Sequence, residues 1–140
     1  VFCENEAANL IFSAFSKRAF DSNISMEIQA RIPCVIHVSE NDLCVLLSNA
    51  LENALHACKK LREKGQEGVI QVSIYEKSGK LFLQIINSCE EDISFVDGIP
   101  VTNRSEHGIG VQSICAIVEQ YDGIYTFSVR DGQFIMRISI

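Results

Sequence analysis

The sequence lacks several features that would assign its class directly. It has no signal peptide and no run of about 18 apolar residues, so we expect no membrane-embedded segment within these 140 residues. The net charge of −6 argues against the basic patch of a nucleic-acid-binding surface, so we expect no nucleic-acid partner. Hydrophobic residues make up 47% and charged residues 21%, which is typical of one globular domain with a real core.

The six cysteines also lack a recognisable pattern. None of them stand at CxxC spacing, and no cysteine–histidine group has the spacing of zinc ligands. Cys44, Cys58 and Cys115 fall in apolar helical runs, where a cysteine behaves as a small hydrophobic residue. These features favour a reduced, cytoplasmic setting. Because the chain begins with Val rather than Met, we expect residues 1–140 to be a single domain cut from a longer protein.

Hydrophobic periodicity predicts the order helix, strand, helix, strand, strand, helix, strand, strand. The predicted helices cover 4–20, 43–61 and 108–120, and the predicted strands cover 24–32, 69–75, 81–86, 124–129 and 134–140, with a short extended piece at 34–38. Ser39 is expected to be the N-cap of the second helix. Residues 88–107 show no periodicity, and an unstructured stretch of that length is often a functional lid.

Turn signals at 76–80 and at Asp131-Gly132 predict two hairpins, and hairpin-linked strands are antiparallel. The sheet is therefore expected to be mixed, and mostly antiparallel, rather than doubly wound. We predict an α+β fold, a two-layer α/β sandwich in which three helices cover one face of this sheet.

The helix predicted over 43–61 carries a polar stripe beside its apolar face. Asn49 and Asn53 lie one turn apart, in line with Asp42, His56 and Lys60. A solvated helix face explains such a stripe as well as a ligand site does. The helix by itself leaves both interpretations open.

A second informative segment, His107-Gly108-Ile109-Gly110, leads into the third predicted helix. Two glycines at a helix start let a ligand come close to the backbone, and the free N–H groups and the helix dipole favour an anion. A tight turn from loop to helix would use the same residues. The position directly after a predicted lid favours the anion site.

Together these segments resemble the GHKL ATPase superfamily. The motifs are Asn49-x-x-x-Asn53-Ala54 on a helix, a strand ending in the polar Asn87, a lid ending in His107-Gly108-Ile109-Gly110, and Ile117-Val118-Glu119-x-Tyr121-Asp122-Gly123. Within it the chain is most similar to the catalytic and ATP-binding domain of bacterial sensor histidine kinases, of the quorum-sensing and LytTR-partnered type with a degenerate first glycine box. The resemblance covers the whole chain and implies a Bergerat-type ATP-binding fold, with ATP and Mg²⁺ as ligands.

Residue roles follow from this resemblance by position along the second helix. Asn53 matches the magnesium-binding asparagine, and Glu52 matches the acidic residue that often precedes it. His56 falls where these kinases often carry a basic residue near the phosphates. Asn49 stands where ATP-hydrolysing members hold a glutamate general base. Because asparagine cannot accept a proton, Asn49 favours phosphotransfer to histidine over hydrolysis.

Further positions match the nucleotide site less closely. Asn87 stands where most members have the aspartate that binds the adenine amino group, and the DxGxG pattern that normally follows is missing. A neutral acceptor is weaker than a charged one, so we expect modest nucleotide affinity. Arg104 lies where a lysine or arginine often reaches the γ-phosphate, and the segment His107 to Gly110 would bind nucleotide. A strand cap at Asn87 and a merely solvated Arg104 are the alternatives.

The resemblance implies a kinase that transfers the γ-phosphate of ATP to a histidine on an upstream dimerisation helix. In the phosphorelay of two-component signalling, the phosphate would then pass to a response regulator. The full-length protein is expected to be a membrane-anchored homodimer with this domain in the cytoplasm. Three alternatives stay open: a serine-directed GHKL kinase of the anti-sigma type, a degenerate interaction module that binds nucleotide weakly or not at all, and an unrelated α+β domain.

Overall fold

The computed structural model describes residues 2–90, 93–101 and 105–140, and the side chains of 105–109 lie outside that description. Its helices are α1 (Glu6–Asp21), α2 (Glu40–Glu63) and α3 (Ser105–Gln120). Its strands are β1 (Ser25–Arg31), β2 (Val69–Lys77), β3 (Lys80–Ser88), β4 (Ser94–Val96), β5 (Ile99–Val101), β6 (Ile124–Arg130) and β7 (Gln133–Ser139).

The main sheet has five strands in the order β1-β2-β3-β7-β6. Its β1 and β2 are parallel, joined through α2, and the remaining neighbours are antiparallel. Strands β4 and β5 form a separate two-stranded ribbon between β3 and α3. The mixed, mostly antiparallel sheet predicted from the two hairpins is confirmed.

Burial alternates along the strands, so that one face of the sheet is covered. In β3, for example, Leu81, Leu83 and Ile85 are buried while Phe82 and Gln84 between them are only partly buried. The buried side chains of the strands and of α1, α2 and α3 form one continuous hydrophobic core. Three helices on one face of a mixed sheet make the predicted two-layer α+β sandwich. No helix in the described ranges combines the length and the apolar character needed to cross a membrane.

Helix α2 begins where its N-cap predicts. The Ser39 hydroxyl accepts a hydrogen bond from the backbone N–H of Asp42 at 3.1 Å, which satisfies one of the free N–H groups of the first turn. The buried face also includes Leu51 and Leu55, which lie outside the apolar arc that helical periodicity predicts, namely Leu43, Leu46, Leu47, Ala50, Ala54, Ala57, Cys58 and Leu61. Helix α2 contacts α1 as well, and the periodicity of α2 alone gives no sign of that neighbour.

The hairpins of the main sheet and the ribbon all close with two-residue turns. Ser78-Gly79, Asp97-Gly98 and Asp131-Gly132 have positive φ at both positions, from 52° to 78°, as type I′ turns require. The ribbon β4–β5 lies inside the stretch 88–107 that we predicted to be a loop, and that prediction was wrong for 94–101. Its Asp97-Gly98 pair is the signal that could have revealed it, but three-residue strands are too short to show periodicity.

The extended piece predicted at 34–38 forms no strand. Asn5, the N-cap of α1, accepts from the Ala8 N–H with its side-chain oxygen and donates its Nδ2 toward the carbonyls of Pro33 and Cys34, each at 3.4 Å. The segment is therefore bonded to the start of α1 rather than to a neighbouring strand, and it leaves Cys34 exposed.

Replacing Ser39 by alanine tests the contribution of the α2 cap. We expect the free energy of unfolding, measured by chemical denaturation, to fall by about 1 kcal/mol because an N-terminal N–H of α2 loses its partner. Ser13→Ala is the control, since Ser13 is exposed inside α1 and alanine favours a helix. An unchanged midpoint for Ser39→Ala would show that the cap contributes nothing.

Candidate functional site

The start of α2 is hydrogen-bonded to the end of α3 and to the residue that follows it. The Asp42 carboxylate accepts from the Tyr121 hydroxyl at 2.6 Å, and the oxygen of that hydroxyl accepts from the Ser39 N–H at 3.0 Å. Gln120 donates to the same carboxylate at 3.5 Å. The polar stripe of α2 therefore faces α3 at this end.

Further along, Asn49 meets Gly110. A Cβ placed on Gly110 would lie 3.5 Å from Oδ1 of Asn49, so the amide lies opposite Gly110 of α3. Because Asp42 lies near Tyr121 and Asn49 near Gly110, the two helices run antiparallel. The structure thus brings together the two segments that carry the sequence motif.

Asn53 and His56 continue the stripe by one and two turns beyond Asn49, and both are partly buried. Their positions put them on the same stripe of α2 as Asn49, which lies opposite Gly110 of α3. The stripe is thus a row of amide and imidazole groups at the edge of the helix layer. Its roles in metal and phosphate binding stay predictions.

Glu52 is directed differently. Its carboxylate accepts two hydrogen bonds from Arg18 of α1, at 2.6 and 3.1 Å, with side chains 52% and 42% exposed. The hydrogen bond to Glu52 raises the pKa of the Arg18 guanidinium. Ion pairs this exposed contribute about 0.2–1 kcal/mol. The structure therefore pairs Glu52 with Arg18 of α1, and the catalytic role of Glu52 stays a prediction.

Asn87 lies at the end of β3, where it is 2% exposed and paired in register with Ile70 and Phe134. It therefore faces the helices, as a ligand-binding residue at this position must. Its Nδ2 donates to the backbone oxygen of Ser88 at 3.0 Å. Asn87 is thus buried at the end of β3, and its role as an acceptor for adenine stays a prediction.

Cys58 joins α2 to this edge of the sheet. Its thiol donates toward the backbone oxygens of Val69 and Ser88, at 3.7 Å each. Burial raises the pKa of this thiol to about 11. Cys58 is consequently a packing and hydrogen-bonding residue, because a thiol with so high a pKa is not a nucleophile near neutral pH.

The segment that replaces the DxGxG pattern is held against the end of α2. Glu90 forms an ion pair with Lys64 at 2.7 Å. The hydrogen bond and charge of Lys64 lower the pKa of the Glu90 carboxyl. Glu90 therefore ties the chain after Asn87 to Lys64, next to the end of α2, and residues 88–90 include no glycine.

The motif His107 to Gly110 lies inside α3 and not before it. Helix α3 begins at Ser105, three residues earlier than predicted, so Gly110 is its sixth residue. The free N–H groups of a helix are its first four, so Gly110 contributes space beside Asn49 rather than a free donor. The side chains of His107 and Ile109 are outside the described residues, and so is Arg104 entirely.

Metal binding here would depend on few protein ligands. The described ranges contain no group of three histidine, cysteine, aspartate or glutamate side chains arranged for a metal ion. Mg²⁺ prefers oxygen ligands and is commonly bound through one or two protein groups together with substrate phosphates. The amide oxygen of Asn53 fits that donor set, so a metal would bind with a phosphate ligand rather than alone.

The comparison with known families decides the assignment. Residues 38–140 match the model of a family described as GHKL domain. The chain belongs to the GHKL family. A search of curated proteins gave no match. Membership excludes the unrelated α+β domain that the sequence alone had left open.

Solved structures of histidine kinases share this fold. The catalytic domain of histidine kinase ThkA, in a nucleotide-free form, has 16% identity and a TM-score of 0.72, over 96% of this chain and 89% of that one. A blue-light activated histidine kinase of Erythrobacter litoralis has 20% identity and a TM-score of 0.73, over 95% of this chain but 40% of that one. For the Acinetobacter baumannii histidine kinase AdeS the values are 16% and 0.66, over 96% and 62%. This GHKL domain therefore has the fold of a histidine kinase catalytic domain.

Two glycine-to-alanine variants test the packing described here, one at Gly110 opposite Asn49 and one at Gly123 beside Ile140. In Gly110→Ala the new methyl group meets Asn49 at an ordinary contact distance, so we expect the unfolding free energy to stay level or rise by up to about 1 kcal/mol, as alanine favours a helix. In Gly123→Ala it would overlap Ile140 and the Ser139 carbonyl, and we expect a loss of about 1–3 kcal/mol.

Thermal and denaturant unfolding of both variants check this pair. A Gly110→Ala variant as unstable as Gly123→Ala would contradict the packing described between α2 and α3.

Proposed function

We propose that this GHKL domain binds Mg–ATP along the polar stripe of α2 and transfers its γ-phosphate to a histidine of the same protein, on an upstream dimerisation helix. The observation that carries the proposal is that Asn49 lies opposite Gly110 of α3. These residues belong to the two parts of the family motif, in a domain with the fold of histidine kinase catalytic domains.

On this stripe of α2, Asn53 would hold Mg²⁺ through its amide oxygen, and the metal would neutralise phosphate charge. His56, one turn further, would donate to a phosphate oxygen, and Arg104 would reach the γ-phosphate from the lid. Asn87 would accept from the adenine amino group at the far end of the site. The chain's contribution is mainly positioning and charge neutralisation, which is how most phosphoryl transfer is catalysed.

The transfer itself needs no general base from this domain. A neutral imidazole nitrogen of the acceptor attacks the γ-phosphorus, an N–P bond forms, and the bond to the β–γ bridging oxygen breaks as ADP leaves. Asn49 cannot take a proton from water, which disfavours the competing hydrolysis. The same absence of a carboxylate at position 49 disfavours a serine-directed kinase.

Phosphate would pass from that histidine to a response regulator. After Asn87 the chain has Ser88-Cys89-Glu90 where relatives have a glycine-rich loop. This degenerate first glycine box supports the quorum-sensing and LytTR-partnered type of kinase. A membrane-anchored homodimer with this domain in the cytoplasm completes the proposal.

A second candidate is an interaction module that binds nucleotide weakly or not at all. The neutral Asn87 and the ion pair of Glu90 with Lys64 favour it. The proposed adenine site then has neither the aspartate charge nor the glycine-rich loop that relatives usually have. Retention of Asn53 and of the segment His107 to Gly110 favours the kinase instead. Nucleotide binding separates the two.

Calorimetric titration of ATP, with and without Mg²⁺, tests the proposal. We expect saturable binding that depends on Mg²⁺ and that weakens at least about tenfold in Asn53→Ala, since an interaction with a charged group contributes about 1.5–3 kcal/mol. Asn41→Ala, an exposed asparagine in the first turn of α2, is the matched control. Absence of binding at millimolar ATP would reject the kinase in favour of the interaction module.

Phosphate release by the purified domain tests the role of Asn49. We expect turnover at the level of a buffer blank even when ATP is bound, because no side chain at position 49 can activate water. Rapid steady-state release of phosphate would show that this role is assigned wrongly.

A further inference from the structure

The face of the main sheet that the helices leave open has a charge opposite to that of the chain. In β3 the buried Leu81, Leu83 and Ile85 point to the helices, so the residues between them point to the open face. Because partners in register share a face, the strand pairing assigns every other strand position. The one acidic residue at the open strand positions is Glu27, and the basic residues there are Arg31, Lys77, Lys80, Arg130 and Arg137.

This distribution separates positive from negative charge. The open face has five of the 12 basic residues of the chain but one of its 18 acidic residues, although the net charge is −6. Charges on the outer side of the helices lie at least a helix diameter, about 10 Å, behind the sheet. That separation is about one Debye length at physiological salt. An anionic surface that approaches the open face therefore meets mainly positive charge.

Most of this charge stands at the end of the β2–β3 hairpin. Lys77 and Lys80 are partners on either side of the turn, and Arg31 is in register with Tyr75, two residues before Lys77. All three basic side chains are exposed, and none of them takes part in an ion pair with another described residue. Their charges are therefore available to a partner.

An aromatic pair lies beside these three residues. The rings of Tyr75 and Phe82 stack with centroids 5.0 Å apart at 19°, and Tyr75 is 41% exposed. A shallow cavity of about 850 Å³ opens next to Tyr75, and its lining includes Arg31, Lys77 and the acidic Glu76. Tyrosine together with lysine and arginine is a combination typical of the membrane–water interface.

We infer that the open face of the main sheet binds the surface of an anionic lipid bilayer, with Arg31, Lys77 and Lys80 at the phosphate headgroups. The inference goes beyond the proposed function and does not depend on nucleotide binding. Each basic residue near an anionic membrane strengthens binding about fivefold. A patch of this size gives a weak, reversible contact, which suits a domain that is already tethered near a membrane.

Other partners fit the open face less well. A two-fold contact with a second copy uses the same patch on both chains, so it would set cation against cation. The cations are spread over roughly 25 Å of strand length, from Lys77 to the level of Arg130. An acidic protein would have to match each of them, and lysine is depleted in protein interfaces. The charge of a bilayer is continuous over that distance.

Cosedimentation with lipid vesicles measures the contact. At low salt we expect binding to vesicles of equal parts phosphatidylglycerol and phosphatidylcholine, no binding to pure phosphatidylcholine, and release at high salt. Lys77→Gln/Lys80→Gln should weaken binding about twentyfold. The control Lys17→Gln/Lys59→Gln removes the same charge from α1 and α2 and should bind as the wild type does. Absence of wild-type binding, equal binding to both vesicles, or an equal loss in the control would overturn the inference.

A single tryptophan identifies the face that meets the lipid, because the chain has none of its own. Tyr75→Trp keeps an aromatic ring next to Phe82, and Phe20→Trp sets the reporter at an 81% exposed position on α1. With the same anionic vesicles, we expect a blue shift and quenching by brominated lipid for Tyr75→Trp only. Equal or stronger quenching of Phe20→Trp would overturn the inference.

Soluble polyanions separate a lipid partner from an acidic protein or a nucleic acid. Calorimetry with poly-L-glutamate and with a DNA duplex, at the salt where vesicles bind, should show weaker binding than to vesicles. These polymers supply charge but no interface for the aromatic pair. Tighter binding to either polymer, or binding to either without binding to vesicles, would overturn the lipid partner.

Discussion

The structure depends on the burial of α2 on three sides. The helix packs on the sheet and also contacts α1 and α3, and its buried side chains are Leu43, Leu46, Leu47, Ala50, Leu51, Ala54, Leu55, Cys58 and Leu61. A helix so enclosed leaves only a narrow strip for polar groups. That strip carries Asn49 and Asn53, so the residues proposed to bind the ligand stand on a helix that is packed against the sheet and two other helices. Rigid placement of this kind is what phosphoryl transfer requires.

Much of the fold follows from periodicity and turn chemistry. Hydrophobic residues alternate clearly in the strands of the main sheet, and Asp131-Gly132 indicates its hairpin without ambiguity. The ribbon β4–β5 was not predicted, because a strand of three residues cannot show a hydrophobic period. The packing of α2 against α1 was not predicted either, because one sequence gives no measure of which helices become neighbours. Both omissions concern contacts between elements rather than the elements themselves.

In the candidate site, too, local relations follow from the sequence and tertiary contacts do not. Helical spacing predicts correctly that Asn49, Asn53 and His56 form one stripe, because that relation is local. The direction of Glu52 toward Arg18 and the contact of Asn49 with Gly110 are tertiary, 34 and 61 residues apart in the chain, and spacing cannot supply them. The hydrogen bond between Asn87 and Ser88 is local but depends on a rotamer. A sequence shows that an amide is present and not which way it turns.

The bond between Asn5 and the segment at Pro33 and Cys34 has a practical consequence for spectroscopy. The side chain of Asn5 donates to the backbone carbonyl of Cys34, which is exposed, whereas the other cysteines are partly or fully buried. Burial also raises the pKa of the Cys3, Cys44 and Cys115 thiols, which lowers the thiolate population that reacts with maleimides. Under brief, neutral conditions a fluorophore would thus attach mainly at Cys34. The native domain therefore offers a nearly single-site label next to α1, without removal of any of its other thiols.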